Sequence, residues 1–323
     1  MIADFRLPGD PSAIVNRKSA IPRLALTTSV RLRAFAKINL GLKVRGLRPD
    51  GYHEILTVYQ TLELHDRLSL SLPKTGRAIH VQCAHPAIPA GRRNLVYQAC
   101  ELWRRARNYR GGIEAILEKR IPAGAGLGGG SSDAAATLLG LERLTGDRIN
   151  GRLRSHLAAR LGSDVPLFLW GGRVLGCGRG EDVYPLWDLP RRHCLVVFPG
   201  FSVSTAEAYR EVSRSLRLTK LARDSTMYSL GAWPQFSLEA WGPAENDFEQ
   251  VVFARWPELA RLKGQLIRAG AETASLTGSG SAVYAVFDSA PKLARASQFI
   301  PAGWQIFRTR TLPRDEYERL LFD

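Results

Sequence analysis

Pro122-Ala-Gly-Ala-Gly-Leu-Gly-Gly-Gly-Ser-Ser132 decides how the rest of this chain is read. Gly124, Gly126, Gly128, Gly129 and Gly130 admit positive φ and carry no side chain, so successive backbone N–H groups can turn toward one anion. Upstream, Ile113 to Leu117 alternates as a strand does. Downstream, Asp133-Ala-Ala-Ala-Thr-Leu-Leu-Gly-Leu-Glu-Arg-Leu144 is a run of strong helix formers. A strand, a glycine loop and a helix N-terminus form a phosphate cradle, in which Ser131 and Ser132 either cap the helix or contact phosphate or metal. No Lys follows the last glycine, so this is not the common Gly-Lys-Ser/Thr phosphate loop. The close bracketing by a strand and an Ala-rich helix argues against a flexible linker.

Composition bounds the reading further. At 323 residues and 45% apolar content, the chain is long enough for two domains, each with its own core. It has no apolar run of about 18 residues, which argues against a membrane span. Cys83, Cys100, Cys177 and Cys194 are scattered and form no Cys-x-x-Cys pair. That pattern speaks against a zinc site and a disulfide framework, and it fits a reducing cytoplasm. The six histidines show no metal-ligand spacing. The net charge of +15 has two readings. One is a field that draws in nucleic acid or a highly anionic small molecule; the other, favoured here, is solvated Arg spread along the surface. Arg104-Arg105-Ala106-Arg107 and Arg191-Arg192 are the local clusters.

Residues 1–30 stand apart as a loosely ordered leader, with Pro8, Pro11 and Pro22 and little periodicity. Strands are predicted over Arg31–Val44, Leu56–Leu64, Arg67–Leu72, Arg173–Cys177, His193–Phe198, Ser281–Phe287 and Gln305–Thr309. Helical spacing covers Asn94–Arg107, Gly151–Leu161, Thr205–Leu216, Phe248–Trp256, Pro257–Ala269 and Pro291–Gln298. A turn falls at Arg48-Pro-Asp-Gly51, where Asp50 serves the turn. The domain boundary is placed near Pro190, giving domains over 31–190 and 191–323. Residues 217–245 are rich in turn formers and hold no clear element. A second glycine turn, Thr277-Gly-Ser-Gly-Ser281, precedes a strand in the latter half. Alone it reads as structural; paired with the first loop, it suggests two turns closing on one phosphate chain.

Lys37-Ile-Asn-Leu40, Pro122–Ser132 and Thr277–Ser281 resemble, in order and spacing, the three motifs of the GHMP kinases. Ala36–Leu40, Arg48-Pro-Asp-Gly-Tyr-His-Glu54, Leu161-Gly-Ser-Asp-Val-Pro166, Pro199-Gly200 and Asn246-Asp247 narrow the resemblance to a branch whose acceptor alcohol carries a cytidine diphosphate group. The resemblance covers residues 31 to about 312 and omits the leader and residues 217–240. It implies an α+β, two-domain fold: an N-terminal α/β domain of the ribosomal-protein-S5 type and a ferredoxin-like C-terminal domain, with the site in the cleft between them.

The resemblance also implies roles. Phosphoryl transfer asks a protein to position groups and neutralise charge. The glycine loop (Pro122, Gly124, Gly126, Leu127, Gly128, Gly129, Gly130, Ser131 and Ser132) matches the part that holds the phosphates of ATP. Magnesium would be held mainly by those phosphates, with no certain protein ligand. Asp164 matches the base that takes the proton of the attacking hydroxyl, and Lys37 the cation beside it. On local sequence alone, Asp164 is a turn or cap residue and Lys37 a surface residue. Asp133 reads as a first-turn helix residue favoured by the dipole. Asn94, Leu95 and Lys119 match nucleotide-side residues, and Asn94 also reads as a helix N-cap. Tyr52 and His53 match residues that stack on a cytosine and read its edge; Tyr209, Thr205 and Asn39 match further acceptor-side positions.

The expected partner is thus a small molecule, with neither nucleic acid nor membrane, and the protein is expected in the cytoplasm as a monomer or homodimer. Two other readings stay open: a GHMP kinase for a base-free alcohol such as homoserine or mevalonate, and a non-catalytic nucleic-acid-binding module. Residues 50–54 weigh against the former. The absence of aromatics interleaved with basic residues weighs against the latter.

Overall fold

The computed structural model describes residues 29–217 and 244–323, so all but the last two residues of the leader and most of the 217–245 segment lie outside the described residues. The first element is a long hairpin of β1 (Ser29–Leu47) and β2 (His53–Ser71), paired antiparallel along nearly its whole length. The sequence pattern predicts two runs where β2 is continuous. The polar pair His65-Asp66 obscures the alternation, yet both residues keep their ladder partners, Phe35 and Ala34. Register shifts fall at Phe35/Lys37, Asn39/Gly41 and Val44/Gly46. Such bulges re-aim side chains, and these flank Lys37 and Asn39.

On its other side β2 pairs with two strands in turn. Residues 67–71 face β4 (Ile113–Glu118), and 57–60 face β5 (Arg173–Cys177). Two short edge strands, β3 (Ile79–Gln82, parallel to β4) and β6 (Asp182–Pro185), complete a six-stranded sheet. The edge strands are only four residues each, too short for a legible alternation. Helices α1 (Leu95–Ala106), α2 (Gly129–Thr145) and α3 (Gly151–Leu161) cover this sheet. Leu32, Leu68, Leu70, Val96, Trp103, Leu138 and Phe168 form the core between them. Asn94 caps α1 by accepting from the Val96 N–H at 2.8 Å, and Asn150 caps α3 in the same way.

A second, antiparallel sheet follows in the order β10-β7-β9-β8, from β7 (His193–Phe198), β8 (Thr273–Leu276), β9 (Val283–Phe287) and β10 (Gln305–Arg310). β8 lies outside the strands predicted from sequence, and the strand predicted from Ser281 begins at Val283. Helices α4 (Thr205–Ser215), α5 (Phe248–Arg255), α6 (Pro257–Arg268) and α7 (Ala290–Ala296) belong to this half. Its core joins Val197, Leu262, Leu266 and Phe287 to Leu42, Val44 and Ile55 from the tip of the first hairpin. A third buried cluster, including Ile38, Leu62, Val196, Tyr284 and Val286, fills the seam between the sheets. After β10 the chain returns to the first half as α8 (Arg314–Leu320), where Leu312, Tyr317 and Leu321 enter the first core.

Candidate active site

The two glycine turns meet at the seam. Gly126 has φ +80°, and a Cβ there would lie 2.1 Å from the Thr277 carbonyl oxygen. The Thr277 hydroxyl donates to the Gly126 carbonyl at 3.0 Å, and the Ala282 N–H donates to the Ala125 carbonyl at 3.2 Å. The Asn246 amide donates to the carbonyls of Leu276 and Gly278 at 2.8 and 2.9 Å, bracing the second turn from behind. Gly128, φ +70°, is the N-cap of α2, and no side chain caps that helix. Ser131 and Ser132 are therefore not the caps, and Ser132 Oγ is buried with no partner among the described residues.

Lys37, expected at the surface from local sequence, is 3% exposed. Its ammonium donates to Asn39 Oδ1 at 2.7 Å and pairs with Asp164 Oδ2 at 3.3 Å. Asn39 Oδ1 also accepts from the Gly278 N–H at 2.8 Å and lies 3.3 Å from the Thr277 hydroxyl oxygen, while its amide donates to Thr57 Oγ1 at 2.8 Å. One amide thus ties the cation to the second glycine turn, while the Lys37 backbone N–H donates to the Leu127 carbonyl of the first at 3.0 Å. Asp164 keeps about a third of its side chain open, and its other oxygen accepts from the Tyr59 hydroxyl at 3.0 Å. Burial, aided by the Asp164 carboxylate, holds the Tyr59 phenol well above its usual range, so it remains a donor. Tyr59 has no sequence signal: on its strand it reads as core, and only the 105-residue contact with Asp164 reveals it.

A cavity of about 940 Å³ runs from this pair to the hairpin tip, bounded by Tyr59, Gly126, Asp164, Gly278 and Ser279 at one end and by Tyr52, His53 and Tyr209 at the other. The tip is a turn in which the Gly51 N–H meets the Arg48 carbonyl at 3.1 Å and Asp50 accepts from the Tyr52 N–H at 3.1 Å, the turn role expected of Asp50. Glu54 accepts from Arg48 at 2.5 Å and from the Gly178 N–H at 3.2 Å, fixing the tip against the β5–β6 turn. That brings the Arg179 guanidinium over the Tyr52 ring, 4.7 Å from its centroid; the ring is 53% exposed. His53 lies stacked on Tyr209 (4.7 Å, 20°) and contacts Ser213 Oγ through Nε2 at 2.5 Å. Tyr209 thus backs the imidazole, so one face of its ring is already covered. The Thr205 hydroxyl lies 3.0 Å from Ser279 Oγ, joining α4 to the second glycine turn.

Two residues sit differently from their sequence reading, and a third, Asn94, takes the helix N-cap that its sequence also offered. Lys119 is 2% exposed in its side chain, its ammonium held between Asp66 and Asp133 beneath the loop, so no face of it opens to a nucleotide. Asp133 is not in the first turn of α2, which begins at Gly129; it is buried against Lys119. Burial and the charge of Asp66 push its carboxyl up to about 7, against the pull of Lys119. The Asn94 amide is committed at both ends, to the Val96 N–H and to the Pro89 carbonyl at 3.1 Å. Leu95 does lie by the loop, 3.3 Å from where a Cβ of Gly130 would stand.

A glycine-walled cleft that pairs a buried lysine with an open aspartate is the site of a phosphotransferase. Residues 94–172 match the GHMP kinases N terminal domain, and residues 233–305 match the GHMP kinases C terminal domain. Together with the full-length relatives, these matches make the chain a member of the GHMP kinases. It is 42% identical over 301 residues to 4-diphosphocytidyl-2-C-methyl-D-erythritol kinase of Solibacter usitatus, covering 92% of this chain and 93% of that one. The enzyme of the same name from Pelotomaculum thermopropionicum is 40% identical, over 86% and 96% of the two chains. A crystal structure of 4-(cytidine 5'-diphospho)-2C-methyl-D-erythritol kinase superposes with a TM-score of 0.70 at 36% identity, covering 87% of this chain and 98% of that one. Homoserine kinase from Cytophaga hutchinsonii shares the fold alone, with a TM-score of 0.69 at 17% identity over 91% and 98% of the chains. The α+β two-domain fold implied by the motifs is the fold observed.

Proposed function

We propose that this chain transfers the γ-phosphoryl group of ATP to the 2-hydroxyl of 4-diphosphocytidyl-2-C-methyl-D-erythritol, a step in the non-mevalonate route to isoprenoid precursors. The observation that carries this reading is the Lys37–Asp164 pair set where both glycine turns open onto the cavity that ends at Tyr52 and His53. Asp164 accepts the proton of the acceptor hydroxyl, whose oxygen attacks the γ-phosphorus as the bond to the β-phosphate oxygen breaks and ADP leaves. Lys37 lowers the cost of the alkoxide charge that builds on that oxygen, and Tyr59 holds the carboxylate in place. The backbone donors of 122–132 take the phosphates, and Leu95 offers an apolar contact on the nucleotide side.

Magnesium would supply neutralisation of the phosphate charge, and the protein groups that could help hold it are Ser131 or the partnerless Ser132 hydroxyl. Among the described residues no cluster of three His, Cys, Asp or Glu offers a metal cage. Tyr52 gives a half-exposed aromatic face for the cytosine, with His53 at its edge, while Arg179 and Arg210 on the wall suit the diphosphate. Among the described residues no helix is long and apolar enough to cross a membrane, and all four cysteines are free, in keeping with a cytoplasmic enzyme. A domain boundary near Pro190 belongs to the same reading. It is supported by the first sheet's last strand ending at Pro185 and the second sheet's first beginning at His193.

ADP release with ATP and magnesium, across 4-diphosphocytidyl-2-C-methyl-D-erythritol, homoserine, mevalonate, galactose and no acceptor, tests the proposal. Turnover confined to the cytidyl compound is the expected result. Turnover with another acceptor would keep the Lys37–Asp164 chemistry and discard the cytosine pocket. Silence throughout, with RNA bound, would favour a binding module.

A further inference from the structure

Ser213, on the last turn of α4, has no place in the chemistry above. Its Oγ lies 2.9 Å from the Tyr209 carbonyl oxygen and 2.5 Å from His53 Nε2. A hydroxyl has one hydrogen to give and lone pairs to accept with. The carbonyl accepts only, so the Ser213 hydrogen goes there, as helical Ser commonly does toward the i−4 carbonyl. What faces His53 is then a lone pair, and Nε2 must carry a hydrogen to meet it. A bare Nε2 would leave two acceptors competing for one hydrogen, with one short contact unsatisfied.

The imidazole is partly buried against Tyr209, and burial lowers its pKa, which favours the neutral ring. A neutral imidazole has a single N–H. With that hydrogen on Nε2, Nδ1 is a bare acceptor, and it has no partner among the described residues. The ring is also denied free rotation, stacked at 20° on Tyr209 and tethered to Ser213, both from α4. Since His53 lines the cavity, its free nitrogen offers a base edge an acceptor and no donor.

We propose that Ser213 is a positioning residue that fixes the Nε2–H tautomer of His53, so that the pocket selects a base edge presenting an amino donor over one presenting a carbonyl. Cytosine has the amino group; uracil has oxygen at that position and would set acceptor against acceptor. The inference rests on the reading of His53 as the residue that meets the base. Polar sites discriminate most strongly by such mismatches, because the buried group is left unpaired.

Nitrogen-15 spectra of the full-length enzyme labelled in histidine, with His53 assigned through the signal lost in His53→Ala, report the tautomer directly. The expected result is a protonated Nε2 and an unprotonated Nδ1, replaced in Ser213→Ala by a mixture and restored in Ser213→Thr, which keeps the hydroxyl. In steady-state kinetics Ser213→Ala should reduce the preference for the cytidyl acceptor over its uridine analogue by about tenfold, through KM rather than kcat, with Thr restoring it. A wild-type His53 protonated at Nδ1 would overturn the proposal, as would a Ser213→Ala enzyme whose cytidine-to-uridine ratio is unchanged. An unchanged acceptor KM in His53→Ala is a different failure: it removes His53 from the pocket and takes the selectivity with it, whatever tautomer the spectra show.

Discussion

Asp164 makes two bonds of different kinds, a salt bridge to Lys37 and an accepted hydrogen bond from Tyr59, and keeps a part-open face toward the cavity. Removing its charge while keeping its shape should separate chemistry from binding. Asp164→Asn is expected to lower kcat by about 10²–10⁴-fold, the range for loss of a general base, with the Kd for ATP nearly unchanged; near-normal turnover would exclude Asp164 as the base. Tyr59→Phe keeps the ring beneath Lys37 and removes only the hydroxyl, so kcat should fall about tenfold with little change in acceptor KM. A rise in KM alone would mean that Tyr59 merely shapes the wall. Both residues illustrate what a single sequence discloses. Asp164 is visible through its motif, Gly-Ser-Asp-Val-Pro. Tyr59 is silent because its partner stands 105 residues away, in the turn after α3.

At the scale of elements, the glycine loop behaves as a shaped piece of backbone fitted to a second one. Gly126→Ala would drive a methyl into the Thr277 carbonyl as well as force a left-handed conformation on an L residue. A loss of about 2 kcal/mol or more in unfolding free energy is expected, with weaker ATP binding, read by urea titration and calorimetry. Beneath the loop, Asp66 accepts from the backbone N–H groups of Arg120 and Ile121 at 2.5 and 2.8 Å, while Lys119 links it to Asp133 on α2. This cluster pins β2, the end of β4 and α2 together.

Because the Asp133 carboxyl is raised to about 7 in the fold, it favours the folded state most at low pH, and that contribution fades as pH rises through 7. Between pH 5.5 and 8 the native protein should lose on the order of 1–2 kcal/mol that Asp133→Asn does not lose, measured as urea midpoints at the two pH values. Parallel slopes in the two proteins would place the titration elsewhere. The strand, loop and helix of this region were all legible in residues 113–144, because period and glycine spacing are local. Asp66, Lys119 and Asp133 were not recognisable as one cluster, since their contacts span 14 and 53 residues and each looks like an ordinary charge in its own segment. β3, β6 and β8, at four residues each, were too short to show a period.

The whole molecule is knit in both directions along the chain. Leu312, Tyr317 and Leu321 leave the second sheet and complete the first core, with the Tyr317 hydroxyl donating to the Phe168 carbonyl at 2.5 Å. Removing residues 311–323 should therefore destabilise the first half, by about 5 kcal/mol for three buried apolar side chains. Hydrogen exchange would show lost protection in α2 and β2 ahead of β9. Uniform protection would mean that the returning segment is an ornament. In the other direction, β1 and β2, 19 residues each, reach roughly 60 Å from the first core into the second, where Leu42, Val44 and Ile55 are buried. The hairpin makes modularity impossible. A fragment ending at the inter-sheet link would display a greasy prong with nothing to receive it, and its complement would fold around an empty socket. Grafting the latter half of a cousin onto this first half would work only if the graft reproduced the shape of that socket, so the two halves are bound to change together.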